Sequence, residues 1–147
     1  MTRILVAGGP RVGKTTLAKR LALEEAAREA RGRGEIAVGR DAEKIAAALL
    51  HHSDDLIEGR EWSEQSDAVV ELMNADGPWI IEGVTVVRAL RKWLLANPGK
   101  PADVVYWSLA SKVPLKHGQV QMASGCATIW LQVSEELAHR EVEVRFF

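Results

Sequence analysis

Residues 4–16 read Ile4-Leu5-Val6-Ala7-Gly8-Gly9-Pro10-Arg11-Val12-Gly13-Lys14-Thr15-Thr16. An apolar run leads directly into a glycine-flanked turn, and the turn opens into a helical pattern. Within this stretch Gly8 to Thr15 fits G-x-x-x-x-G-K-[ST] without a mismatch. Each part has a chemical reason. Glycines let the backbone curl so that successive N–H groups point inward at phosphate oxygens, and the following helix presents its positive end to the same anion. Lys14 is then placed to reach the β- and γ-phosphates of a nucleoside triphosphate, and the Thr15 hydroxyl to bind Mg²⁺. Gly8, Gly9, Arg11, Val12, Gly13 and Thr16 complete the expected phosphate cradle. A strand before and a helix after are the context such a motif requires; a glycine-rich surface turn that carries a lysine by chance has no need of it. The expected ligand is ATP or GTP, with Mg²⁺.

The rest of the composition sets bounds around this loop. A chain of 147 residues has the length of one domain, 1–147, with a proper core. Apolar content of 47% and charged content of 27% are ordinary for a globular protein. A formal net charge of −1 gives no reason to expect a surface that coats nucleic acid, since such surfaces are strongly basic. Cys126 is the single cysteine, which excludes an intramolecular disulfide and a cysteine-based zinc cluster. That agrees with a reducing, cytoplasmic setting. Met1 leads within two residues into the first strand, which leaves no room for a signal peptide. No apolar run approaches the roughly 20 residues that span a bilayer. A soluble protein is expected.

Periodicity gives alternating strands and helices. Arg3 to Ala7 reads as a strand covered on both faces, and Thr15 to Arg31 as a helix with Leu17, Ala18, Leu21 and Ala22 inward. Ile36-Ala37-Val38 fits a short strand or a loop. Asp41 is placed to cap a helix through Leu49, and His51 to Asp55 fall at a strand end or turn. Ser63 is placed to cap a helix running to Met73, followed by the turn Asn74-Ala75-Asp76-Gly77-Pro78. Trp79-Ile80-Ile81 is then a buried strand ending at Glu82-Gly83. Thr85 caps a helix to Leu95, and Val104 to Leu109 form a further strand. Two helical stretches, Leu115–Ala123 and Ala127–His139, precede a last strand, Val142–Phe146. The pattern predicts an α/β fold with a mainly parallel, five-stranded sheet. Ligands of such sheets bind beyond the carboxyl ends of the strands.

Two acidic sites lie at those ends. Glu82 directly follows an apolar strand, where a carboxylate near the loop hydroxyl would hold the Mg²⁺ water shell. Asp54-Asp55 would accept a proton from an attacking hydroxyl, or hold a metal or a sugar; the bland alternative is a polar loop, where Asx residues are common.

Taken in order, Gly8–Thr16, Ser53-Asp54-Asp55-Leu56, Trp62 and Trp79-Ile80-Ile81-Glu82-Gly83 followed by Arg88 resemble the small P-loop kinases of the adenylate-kinase-like superfamily. The likeness runs through residues 3–109 and is strongest to short bacterial and phage members. It implies a three-layer P-loop NTPase fold in which the third strand lies beside the first, bringing Glu82 next to Thr15. It also implies phosphoryl transfer from ATP to a nucleoside or nucleotide, with Asp54 or Asp55 and Arg88 on the acceptor side and Lys14 on the transferred group.

The sequence departs from the family after the fourth strand. Where fuller members carry an arginine-rich lid, residues 110–127 offer Lys112, Lys116 and His117 but no arginine. The C-terminus is also truncated relative to the family's base-binding loop. Positive charge on the equatorial phosphate oxygens is a large part of phosphoryl transfer, so Arg11, Arg91 or a second subunit would have to supply it. The reduced lid also motivates a second reading, a nucleotide-binding regulatory protein with little kinase activity; a kinase acting on a nucleic-acid 5′-hydroxyl is a close variant of the first. An ATPase motor would need Arg140 or Arg145 as its subunit-contacting arginine.

Among the remaining residues, Trp93, Trp107 and Trp130 read as core, and Trp62 as the tryptophan that would touch an acceptor. His51 and His52 are adjacent, a spacing that rarely converges on one metal ion. Arg28, Arg31 and Arg33 are interleaved with Glu25 and Glu29 and read as a solvated face. Phe146 and Phe147 would pack internally or against a second copy in a dimer.

Overall fold

The computed structural model describes residues 2–34, 40–56, 61–108 and 110–147. The strand or loop expected at Ile36-Ala37-Val38 and the strand end expected at Leu109 lie outside them. Along the chain run β1 (Arg3–Gly8), α1 (Lys14–Gly32), α2 (Arg40–Leu49) and β2 (Leu50–His52). A 3₁₀ turn (Ser53–Leu56), α3 (Trp62–Met73), β3 (Trp79–Glu82) and α4 (Val86–Ala96) follow. The chain continues with β4 (Val104–Ser108), α5 (His117–His139) and β5 (Glu143–Phe146).

The five strands form one sheet in the order β2-β3-β1-β4-β5, and every pairing is parallel. Parallel strands need crossovers on the sheet faces, so both faces must be apolar. The side chains of β1 divide accordingly. Leu5 and Ala7 belong to the core built by α3, α4 and α5, whereas Ile4 and Val6 belong to the core under α1 and α2. Trp79 and Ile81 against Ile80, and Trp107 against Tyr106, divide the same way. On the α5 side Trp107 and Trp130 stack with ring centroids 4.5 Å apart and planes 4° from parallel, a contact worth about 1 kcal/mol beyond its burial.

Helix starts differ from the sequence expectation in a consistent way. Asp41 lies inside the first turn of α2, and Ser63 is the second residue of α3, whose N-cap is Glu61. Thr85 is the N-cap of α4 but makes no side-chain capping bond; its hydroxyl is buried without a partner among the described residues. Neither α3 nor α4 begins with a side-chain cap hydrogen bond.

The largest correction concerns α5. It is one continuous helix through Ser124 and Gly125, not two stretches. A mid-helix glycine costs about 1 kcal/mol against alanine. Burial of Cys126, Ile129, Trp130, Val133 and Leu137 along one face offsets it. Among the described residues, no helix is long and apolar enough to cross a membrane.

Candidate functional site

The chain leaves β1 at the centre of the sheet, where the order turns from β3 on one side to β4 on the other. The resulting crevice at the carboxyl ends of these strands is where the glycine loop lies. A Cβ at Gly8 would stand 2.3 Å from the Ser108 carbonyl oxygen, so only glycine lets the ends of β1 and β4 approach. The Gly9 N–H donates to that same carbonyl at 3.2 Å. Arg11 and Gly13 have φ of 62° and 91°, the left-handed region that curls the loop back on itself. Val12 is fully buried and anchors the loop from below. Gly13 is the N-cap of α1, with no side-chain cap and no acidic residue in the first turn. The opening N–H groups of α1 therefore face the crevice beside a positive helix end.

Lys14 is 8% exposed, and its ammonium donates to the Gly9 carbonyl at 2.5 Å. Burial pushes its pKa down, opposed by the negative charge of Glu82 and Asp54. Thr15 and Thr16 are exposed on the floor of the cleft. The Thr15 hydroxyl donates to Glu82 Oε1 at 3.3 Å. Glu82, 2% exposed at the end of β3, sits in register with Val6 of β1 and His52 of β2. The pairing of β3 with β1 thus brings Glu82 beside Thr15.

The same Oε1 accepts a second hydrogen bond, from His52 Nδ1–H at 2.6 Å. The sequence gives no sign of this partnership: the adjacent pair His51-His52 is poorly spaced for one metal ion and reads as ordinary polar residues near a strand end. Among the described residues no group of three or more His, Cys, Asp or Glu could hold a metal alone. His51 is part-buried and its pKa is lowered, by desolvation and then by the neighbouring His52.

The two aspartates part company. Both are exposed on the 3₁₀ turn, but Asp54 lines the loop cleft, a cavity of about 530 Å³, whereas Asp55 lines a separate hollow between α1 and α2. The turn is held by a close approach. A Cβ on Gly83 would lie 1.7 Å from the Ser53 hydroxyl, and Gly83 has φ of 141°. Ser53 is itself fully buried, and its hydroxyl has no partner among the described residues.

Trp62 is the first residue of α3 rather than part of a loop, and its ring forms one wall of the cleft. Arg88 holds its guanidinium 5.5 Å from the centre of that ring. The opposite wall comes from α5. Gln119 and Met122 line the cleft, and the Cys126 thiol one turn on is close enough that Lys14 and Arg88 both bear on it. Burial raises its pKa against those two cations. These residues follow i, i+3, i+7 spacing, a face invisible to a reading that broke the helix at Gly125.

Of the three residues noted between 110 and 127, one meets the loop. The Lys112 N–H donates to the Arg11 carbonyl at 2.8 Å, and its side chain passes 3.6 Å from where a Gly13 Cβ would be. Lys116 is the N-cap of α5, and His117 lies beside Gln121. Arg140 and Arg145 are occupied elsewhere. Arg140 binds the carbonyls of Leu94, Asn97 and Gly99 at 2.6–3.0 Å, and Arg145 binds Glu143 and the Tyr106 hydroxyl. Neither is a free finger for a neighbouring subunit.

No protein-family model matches the chain, and no curated protein or solved structure matches it.

Proposed function

We propose that this protein is a Mg²⁺-dependent phosphotransferase with a P-loop NTPase fold, moving the γ-phosphoryl of ATP to a hydroxyl or phosphate on a nucleoside or nucleotide. One observation carries the reading. The Gly8–Thr15 motif lies at the central carboxyl end of a parallel sheet, with the Thr15 hydroxyl 3.3 Å from a buried carboxylate on the adjacent strand. A glycine-rich turn with a chance lysine explains neither the buried lysine nor the buried acid.

The residues present fit Mg²⁺. It takes hard oxygen donors and keeps several waters, so one hydroxyl and one carboxylate suffice beside phosphate oxygens. With the Thr15 proton directed onto Glu82, the hydroxyl lone pairs remain for the cation. When bound, Mg²⁺ neutralises charge on the β- and γ-phosphate oxygens.

The chain's own residues divide the remaining work. Backbone N–H groups of Gly13 to Thr16 and the Lys14 ammonium hold phosphate oxygens, and Lys14 lies close enough to follow the charge as it moves to the leaving group. Asp54 accepts the proton of the acceptor hydroxyl as its oxygen bonds to the γ-phosphorus. The β–γ bridging bond breaks and ADP leaves with that electron pair. Trp62, with Arg88 behind it, packs the acceptor. Gln119 and Met122 close the far wall and displace water. Lys112 is the cation best placed to take over the part of a lid arginine.

The test is Mg²⁺-dependent ADP release from ATP with nucleosides, nucleoside monophosphates and 5′-hydroxyl oligonucleotides, compared with Lys14→Ala. The expected result is stimulation by one acceptor class and a loss of about 10²–10³-fold in the variant, the scale of removing one preorganised charge contact. Equal rates in wild type and Lys14→Ala would overturn the mechanism. ATP binding without any acceptor response would replace the kinase with a nucleotide-sensing regulator.

A further inference from the structure

Resting on the Mg²⁺ reading above, we infer that His52 is a positioning residue of the metal site, holding the Glu82 carboxylate in the orientation that faces Thr15. The parallel register of β2 and β3 sets His52 directly beside Glu82. Its Nδ1 is 2.6 Å from Glu82 Oε1, the same oxygen that Thr15 reaches at 3.3 Å.

A glutamate side chain has three rotatable bonds, and a lone hydroxyl at 3.3 Å is a weak anchor for it. The short bond from His52 supplies the second point. Because a carboxylate only accepts, Nδ1 carries the proton, which fixes the ring tautomer and turns Nε2 away from Glu82. Both donors converge on one oxygen, so Oε2 and the Thr15 lone pairs stay available to a cation and its waters. Glu82 is 2% exposed, so little bulk water reaches it to replace a lost donor. Outer partners of this kind typically change metal affinity by about 10–100-fold when removed.

The alternative is that His52 simply fills space at the edge of the sheet. The experiment compares wild type, His52→Ala and His52→Asn by titrating a fluorescent ATP analogue in EDTA, then adding Mg²⁺ at a fixed nucleotide concentration. Thermal unfolding of each variant is measured alongside. Asparagine places Nδ2–H close to where Nδ1–H stood and preserves the donation.

The expected result is a Mg²⁺ affinity lowered about 10-fold or more in His52→Ala, with metal-free nucleotide affinity unchanged. His52→Asn should recover most of the loss. Unchanged Mg²⁺ dependence in His52→Ala, or an equal loss in both variants, would overturn the positioning role while leaving the nucleotide site standing. Absence of nucleotide binding by the wild type would overturn both.

Discussion

Lys14 and Arg140 are cations with little solvent contact at opposite ends of the same sheet, and they are treated in opposite ways. Arg140, beside the amino end of β5, is 18% exposed in its side chain. Its donors meet Glu136 and the carbonyls of Leu94, Asn97 and Gly99, the open carboxyl end of α4. Lys14, at the carboxyl ends, is more deeply buried, and among the described residues its one hydrogen bond is to Gly9. Its pKa is depressed because burial outweighs the nearby acids.

The surroundings follow the same division. At the amino end the Arg3 N–H meets Asp103, and the Trp79 indole N–H meets Ala75. At the carboxyl end the Ser53 and Thr85 hydroxyls are buried without partners among the described residues, and Gly83 is held at φ of 141°. One end is built for stability. The other closes around a glycine at positive φ and buries two hydroxyls that have no partner among the described residues.

Gly83→Ala should disturb the carboxyl end most. Its Cβ would strike the Ser53 hydroxyl, and its φ lies in a region other residues avoid. A loss of about 2–4 kcal/mol is expected by chemical denaturation. Adding Ser53→Gly should recover part of it, and a double-mutant cycle with no coupling would show that the contact is not the cause.

Arg140→Met attacks the satisfied end. It leaves three carbonyls without their charged donor and should cost about 2 kcal/mol, with ATP affinity unchanged. A parallel loss of nucleotide binding would mean that the two ends are coupled and that the division is wrong.

Lys14→Met should do the reverse, weakening nucleotide binding while raising stability by about 1 kcal/mol near neutral pH. The sign follows from the depressed pKa. The folded-state value lies below the ordinary 10.5, so the penalty for burying the ammonium is complete at pH below that folded value. As pH rises from there toward 10.5 the folded protein binds fewer protons than the unfolded chain, and stability rises with pH. The wild type should therefore gain on Lys14→Met in alkaline buffer. A gap in melting temperature that is constant through that range would refute the account.

Thr85→Val is the mildest change. It removes a buried, unpartnered hydroxyl at nearly constant volume and should raise stability by about 0.5–1 kcal/mol. A loss of similar size would show that the hydroxyl is satisfied in solution.

How much of this was legible beforehand varies by element. Sharp local signals came through. Gly8 to Thr15 joins β1 to α1, with Gly8 the last residue of the strand and Lys14 and Thr15 the first two of the helix, and Trp79 to Glu82 is a buried strand ending in its acid. The apolar character of β1, β3 and β4 is complete enough to announce a sheet covered on both faces. Helix starts were less legible, because Asp41 and Ser63 look like caps yet lie within the first turns. The far wall of the cleft was not legible at all. A serine and a glycine at Ser124-Gly125 carry weak propensity, and the continuity of α5 comes from its packing against α4 and the sheet.

By itself, then, the sequence determined the loop, β1, β3, β4 and β5 and the acid at the end of β3, because each depends on residues close together in the chain; β2, only three residues long at Leu50–His52, falls where the pattern gives no more than a helix end followed by a strand end or turn. Tertiary structure alone decided which aspartate faces the cleft, which histidine holds Glu82, and that Gln119, Met122 and Cys126 come to the site. Those facts depend on strand register and helix packing between segments as many as 112 positions apart, Lys14 to Cys126, where no local pattern carries the information.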